Sequence, residues 1–421
     1  MDYVIIGNSA AGIGAVEGIR SVDKKGTIAV ISDEPYHTYS RPLISYYLGG
    51  KVEQHNMYYR PKTFYRDYSV EPMFGVPATK IDTTAKTVTV GVGKTKQIKY
   101  GKLLIAAGGT PFVPPITNLE GTGVFTFTKW DDAKALLKAT RQAETAIVIG
   151  GGLIGLKAAE GLLNVGIKVT VVELADRVLS TILDAKGSKM FGEHLKALGV
   201  TLLTGDTVTG IVRDGEGSVV GASLKSGRNV EGDLVVVAIG VVPNTALTDG
   251  TKITKERGIL VDEHLMTSVK DVYAAGDCVE TFDVLRKTRR PQPIWPNAYE
   301  QGQKAGLNMA GRITDYIGSF GMNSIEVSGL PTITVGMYDA VGPKYEILQK
   351  SDPETNTYKK VILDKDRVVG AVFVGDIDRA GIMTGLIKDR VNVKAFKHDL
   401  ISDNFGYAIF PETLRKERLS R

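Results

Sequence analysis

Two clusters of glycine, each followed at a distance by an acid, carry the chemistry legible in this 421-residue sequence. Gly7 and Gly12 open the chain with Ser9 between them, and Gly150, Gly152 and Gly155 repeat the pattern with all three glycines. At this spacing the first glycine allows a tight turn, the second a close backbone approach, and the third tight helix–strand packing. The helix that follows presents free N–H groups and a positive dipole end to a pyrophosphate. An acid roughly 20 residues further on accepts ribose hydroxyls. Glu34 stands there for the first cluster, and Glu173, 18 residues past Gly155, for the second. The serine at position 9 narrows backbone approach in the first cluster, so the second is the cleaner fingerprint. Arg41-Pro42 follows in an aromatic-rich loop, where a guanidinium suits a phosphate. By itself that segment reads equally as a turn before a helix.

These residues need strands and helices to position them, and the apolar runs supply both. Tyr3 to Ile6 and Thr27 to Ile31 read as buried parallel strands flanking a small-residue helix. Ala146 to Ile149 and Lys168 to Val172 do the same around the second cluster. Each half continues into an alternating, meander-like stretch, 71–100 in the first and the region before 230 in the second. Each then ends in a strand–glycine–proline element, Leu103 to Pro111 with Gly108, and Leu234 to Asn244 with Gly240. The repeat predicts two nucleotide cofactors. Residues 112–130 read as a linker with strand character and Asp131 to Ala143 as a helix. Further on, Asp277 closes an apolar strand behind Gly276, and a helix opens near Trp295. Residues 323–376 are strand-like, with an amphipathic helix near 380–390.

Composition narrows the function classes. The chain is 43% hydrophobic and 24% charged, with no run long enough to span a bilayer. One cysteine, Cys278, excludes an internal disulfide, a paired redox motif and a cysteine-ligated cluster. Five scattered histidines show no metal-ligand spacing, so no metal is expected. A net charge of +5, dispersed, does not indicate nucleic acid. The first strand begins so near residue 1 that no leader is expected, and a cytoplasmic location follows.

The combination of Gly7–Gly12, Tyr39-Ser-Arg-Pro42, Ala106-Ala-Gly-Gly109, Gly150–Gly155 with Glu173, Ala238-Ile-Gly240 and Ala275-Gly-Asp277 resembles the pyridine nucleotide–disulfide oxidoreductase superfamily. Within it the chain looks most like the NADH:rubredoxin reductase and ferredoxin reductase branch. The resemblance covers nearly the whole chain. It implies an α/β fold with two Rossmann-like dinucleotide-binding domains, the FAD domain discontinuous, plus a C-terminal α+β interface domain. The implied boundaries are 1–113 and 245–322 for the FAD domain, 114–244 for the NAD domain, and 323–421 for the last. On the same resemblance FAD meets Gly7, Ser9, Ala10, Ala11, Gly12, Asp33, Glu34, Arg41, Pro42, Ala107, Gly108, Gly276 and Ala298. Asp277 is implied to bond the ribityl chain, Ala78 to meet the adenine, and the Trp295 helix start to face the N1–C2=O edge of the flavin. A helix N-terminus stabilises negative charge there. NAD(H) is assigned Gly150, Gly152, Ile154, Gly155, Glu173 and Gly240.

Two departures from the pattern are informative. Superfamily members that reduce disulfides keep a cysteine near residues 39–45, where this chain has Ser40, Arg41, Pro42 and Ser45. Disulfide and sulfenate chemistry are therefore excluded. The ferredoxin reductase branch pairs a lysine near Tyr46 with a glutamate at the position of Lys157, and both are changed. Lys157 reads either as a cation raising the flavin's potential or as a snorkelling surface lysine. No side chain is assigned a catalytic role, because hydride transfer to FAD requires alignment rather than an acid or base.

The implied activity is electron passage from NADH through FAD to a ferredoxin- or rubredoxin-like protein. One alternative is an electron-transfer subunit of a larger aldehyde or nitrite oxidoreductase. Another is a slow-turnover redox-sensing or structural flavoprotein similar to apoptosis-inducing factor. Arg286, Lys287, Arg289 and Arg290 place four cations in five residues, expected as a loop. They read either as a solvated loop or as the dock of an acidic electron carrier.

Overall fold

The structure is a computed structural model that describes residues 1–419 and divides into two compact units. The first unit comprises Met1–Phe112, Thr128–Lys134 and Gly240–Ser319; the second comprises Val113–Phe127, Ala135–Ile239 and the chain from Phe320 onward.

Short apolar runs become central strands because both sheet faces are covered. In the first unit five parallel strands run in the order Val272–Ala274, Lys102–Ile105, Tyr3–Ile6, Ile28–Ile31, Val70–Met73. Three of them are buried along their whole length. Val70–Met73 corrects the sequence reading, which placed residues from 71 in the antiparallel meander. Its Val-Glu-Pro-Met sequence sits at the sheet edge, where a proline is tolerated. The meander itself is Ala78–Asp82, Thr87–Val90 and Lys96–Lys99.

Against the first sheet lie two helices, Ala10–Val22 and Trp295–Met309, packed on each other through small residues. A Cβ on Gly302 would lie 1.9 Å from the Ala11 carbonyl oxygen, and one on Gly14 would lie 2.4 Å from that of Tyr299. The two backbones are therefore in contact, and only glycine fits between them.

The second unit repeats the parallel sheet, in the order Thr201–Thr204, Lys168–Glu173, Thr145–Ile149, Leu234–Val237, Val124–Thr126. Its edge strand comes from the stretch read as a linker. In both sheets the first strand of the repeat sits between its second and fourth. That reversal of strand order is where open α/β sheets bind ligands. The same unit holds an antiparallel five-stranded sheet, ordered Met322–Val327, Leu330–Gly336, Arg367–Val374, Thr357–Asp364, Tyr345–Asp352, with the helix Gly381–Lys388 packed on it. The expected helix after residue 130 spans Trp130–Ala139, one residue earlier than read and ending in a 3-10 turn.

Candidate functional site

In the first unit the glycine turn forms at the carboxyl end of Tyr3–Ile6. Gly7 has φ +117 and donates its N–H to the Ile31 carbonyl (2.8 Å), and its missing Cβ makes room for the Ala106 carbonyl oxygen, 2.0 Å from where that carbon would sit. Ser9 then caps the helix in extended conformation without a side-chain cap bond. Gly276, Ala11 and Ala298 come together, a Cβ on Gly276 falling 3.1 Å from that of Ala11 and 3.7 Å from that of Ala298. The starts of the two helices thus converge on one place, with Gly276 and Asp277 beside them. Ala107 and Gly108 lie past the end of Lys102–Ile105, their carbonyls accepting the Asn244 side chain (3.5 Å) and backbone N–H (2.9 Å). Ala78 opens the meander strand Ala78–Asp82, two residues past Val76, whose N–H bonds to the Ser32 carbonyl at 2.8 Å.

The acids at this site behave differently from one another. Glu34, 6% exposed, is held within the chain: Arg41 Nη2 donates to one carboxylate oxygen and the Tyr39 hydroxyl to the other, at 2.7 Å. Arg41 Nη1 also donates to the Thr128 carbonyl at 2.9 Å, and Tyr39 accepts the Trp130 backbone N–H at 3.1 Å. Asp33 is exposed and pairs with Lys129 at 2.6 Å. Pro42 sets the first turn of a short 3-10 helix, Arg41–Leu43. Asp277 is the unsettled acid: burial pushes its carboxyl up to about 6, opposed by the charge of Arg41. A carboxylate that lost water without full compensation is suited to accept a ligand's hydroxyl.

Sequence reasoning missed the residues that hold this site in shape. Trp130 is fully buried against Tyr36 and Tyr39, and Asn8, inside the glycine turn, bonds the Tyr36 carbonyl at 3.1 Å and the Tyr65 hydroxyl. Gln301 accepts the Gly276 N–H at 2.8 Å. The only advance signal was the density of tyrosines between 36 and 68.

In the second unit Gly150 has φ +110 and Gly155 would carry a Cβ 1.9 Å from the Gly150 carbonyl oxygen, so both are required by the fold. Gly152 differs. It caps Leu153–Asn164 with φ −85 and ψ −173, a conformation open to any residue, and no protein atom lies within 4 Å of its absent Cβ. Ser9 holds the same position and a similar conformation in the first unit, φ −105 and ψ −161. Glu173 folds back on the turn, accepting the N–H of Gly151 (2.5 Å) and of Ala175 (2.7 Å). Ile154 is the second residue of the helix. Arg177 binds Asp176 at 2.8 Å. Gly240, with φ +114, falls within the first unit, where it precedes the ribbon Val241–Pro243 that pairs with Gly109–Pro111 of the same unit.

Lys157 proves to be half-buried and paired, its ammonium donating to Glu160 and, at 3.0 Å, to the Glu326 carbonyl. The expected basic loop is a hairpin, Val279–Asp283 with Thr288–Pro291. Asp283 closes its turn by accepting the N–H groups of Leu285 and Arg286, each at 3.0 Å, which a plain loop reading could not foresee. Arg290 sits 3.9 Å from Asp283, and Arg289 donates to the Val261 carbonyl at 2.8 Å. Cys278 is fully buried and its thiol is pushed up to about 12 by desolvation.

No helix among the described residues is long and apolar enough to cross a membrane. Residues 1–302 match the family described as pyridine nucleotide-disulphide oxidoreductase, and residues 322–391 match the rubredoxin NAD+ reductase C-terminal domain. The chain is 32% identical to a nitrite reductase [NAD(P)H] of Bacillus subtilis over 93% of its own length and 47% of that protein, so it spans about half of that relative. It is 29% identical to the epsilon subunit of the NADH-dependent phenylglyoxylate dehydrogenase of Aromatoleum evansii, over 98% of both chains. Among solved structures, the NAD-dependent persulfide reductase from A. fulgidus superposes with a TM-score of 0.87 at 29% identity, covering 100% of this chain and 83% of that one.

Proposed function

The chain belongs to the pyridine nucleotide-disulphide oxidoreductase family, whose cofactors are FAD and NAD(H), and from that premise we propose that it passes electrons from NADH through FAD to a protein acceptor in the cytoplasm. The observation that carries this reading is the doubled glycine turn at two sheet switch points in a chain whose lone thiol is buried and inert. Electrons therefore leave without passing through a cysteine pair. When bound, FAD supplies the exchange between a two-electron donor and one-electron acceptors.

The chain's own residues bind and orient. We assign the first unit to FAD, with Gly7 and the helix start at Ser9 to Gly12 holding the pyrophosphate and Asp277 accepting a ribityl hydroxyl. Glu34 is assigned an indirect part, fixing Arg41 through its charge-assisted bond. The Trp295 helix turns its N-terminal N–H groups toward the flavin. The second unit takes NADH, with Gly152 facing the pyrophosphate and Glu173 the adenosine ribose. Lys157, neutralised by Glu160, supports helix placement in this reading rather than flavin potential.

Two substitutions test the second assignment. Gly152→Ala should fold normally, since its Cβ meets no protein atom, yet raise KM for NADH by about tenfold or more by occupying ligand space. Unchanged NADH kinetics would place the coenzyme elsewhere. Glu173→Ala should narrow the NADH-over-NADPH preference by roughly tenfold, because a carboxylate there repels a 2′-phosphate. Measured kcat/KM ratios that favour NADPH in the unmodified protein would refute the assignment.

The acceptor is the finer part of the proposal. Acidic carriers of the ferredoxin or rubredoxin kind suit the cationic hairpin at Arg286, Lys287, Arg289 and Arg290. Their reduction should slow steeply with salt, as screening acts over about 10 Å at 0.1 M. Replacing the four cations by glutamine should remove most of that dependence while NADH reduction of a neutral quinone continues. Equal carrier rates at low salt in the neutralised protein would clear the hairpin of this role. A second reading, an electron-transfer subunit of a larger oxidoreductase, is favoured by the end-to-end match to the epsilon subunit above. Co-purifying mass separates the two.

A further inference from the structure

Beyond the cationic hairpin the first unit exposes apolar side chains where its fold does not require them. After Trp295–Met309 the chain runs without helix or strand from Arg312 to Gly318, with Ile313 and Ile317 outward at 68% and 76% exposure and Tyr316 between them buried. This segment lies along the hairpin. Ser319 donates its N–H to the Phe282 carbonyl at 3.1 Å and accepts that of Val284 at 3.0 Å. Gly318 is pressed so close that a Cβ there would stand 2.1 Å from the Phe282 carbonyl oxygen. Phe282 is 38% exposed, lies opposite Arg289 in the strand register, and has the Lys287 ammonium 5.8 Å from its ring centroid. Apolar groups are thus set beside the four cations.

An apolar centre with a charged rim is the anatomy of a specific protein interface. The rim speeds and orients encounter, while buried apolar contact slows dissociation. The segment is also joined to the helix assigned to the flavin. The Ser319 hydroxyl accepts from the Asn297 amide at 2.8 Å and donates to Gln292 at 3.0 Å, and Asn297 is the third residue of the Trp295 helix. One side chain therefore separates the patch from that helix's first turn.

We propose that Ile317 and Phe282 form the apolar seat, within the cationic rim of Arg286, Lys287, Arg289 and Arg290, on which a small acidic electron-carrier protein docks. This rests on the acceptor reading above and adds the residues that fix the carrier once charge has brought it in. The seat requires the carrier to present an apolar contact inside its acidic face.

The experiment measures NADH-driven reduction of a plant-type [2Fe–2S] ferredoxin and of a rubredoxin, at low salt and at high salt, with ferricyanide reduction and flavin content as references. Ile317→Ser should raise KM for the better carrier about fivefold or more, and the effect should persist at high salt. Ile317→Lys separates seat from charge: it adds a cation, so a purely electrostatic dock would bind more tightly, whereas an apolar seat binds more weakly. A lowered KM in Ile317→Lys, or a KM within twofold of the unmodified value in Ile317→Ser, overturns the seat alone. Failure of the unmodified protein to reduce either carrier, while it reduces ferricyanide, overturns the acceptor reading and the seat together.

Discussion

Gly302→Ala should give a protein that fails to retain flavin. The added Cβ would fall 1.9 Å from the Ala11 carbonyl oxygen and 2.7 Å from its Cα, distances that only backbone movement can relieve. Overpacking against a side chain costs about 1–3 kcal/mol, and here the obstacle is a helix backbone. The Ala10–Val22 and Trp295–Met309 helices must separate where the first turn of the former crosses the middle of the latter, beside the helix start to which the dinucleotide is assigned. We expect an FAD affinity lowered at least about a hundredfold and a melting temperature lower by roughly 5–10 °C. Gly381→Ala, with nothing within 4 Å of its Cβ, is the control and should leave both unchanged. A yellow Gly302→Ala protein of unaltered melting temperature would show that the helix contact does not shape the site.

Asp277→Asn should separate binding from stability in opposite directions. The carboxyl has a folded-state pKa of about 6, above the ordinary aspartate value of about 3.9. A raised folded pKa means the proton is held more tightly in the native state. That contribution is present below pH 4 and is lost as pH rises through about 6. Flavin-free Asp277→Asn should therefore melt higher than flavin-free unmodified protein at pH 7.5, by a few degrees, on the order of 1–2 kcal/mol after solvent screening. Near pH 4 the difference should vanish. Its affinity for FAD should fall about 10- to 100-fold, the worth of a charge-assisted hydrogen bond. Melting curves of stripped protein at the two pH values, with flavin titrations, decide the matter. A lower melting temperature at pH 7.5 would mean the carboxylate is satisfied by the protein itself.

What the sequence disclosed and what it hid divide along physical lines. Tyr3 to Ile6 and Ala146 to Ile149 were readable because strands buried on both faces leave an unbroken apolar run, and the glycine turns because steric demands on backbone admit one residue type. Val70–Met73 was not, since at the sheet edge only Val70 is buried and the Val-Glu-Pro-Met run lacks the unbroken apolar character of a central strand. Val124–Thr126 was hidden in a proline- and glycine-rich stretch whose partner, Val235 to Val237, lies more than 100 residues away. Glu34 was found by spacing, but its bonds to Arg41 and Tyr39 depend on how the chain folds over it. Lys157 was left between two readings because its partner Glu326 carbonyl comes from a distant strand. The apolar segment at Ile317 carried no periodicity at all.

The interrupted path of the first unit bears on how the chain is made. Its glycine-faced helix ends at Val22, and the helix that covers it begins at Trp295. At ribosomal speeds of about 5–20 residues per second, that face waits roughly 15–55 s for its partner. Val272–Ala274 is likewise missing from its sheet, leaving the edge of Lys102–Ile105 unpaired. The parallel sheet of the second unit lies within residues 124–237 and is complete earlier. The parallel sheet of the first unit is thus begun before that of the second and closed after it, so nascent chains halted near residue 240 should be bound by chaperones through the first unit while the parallel sheet of the second already resists protease.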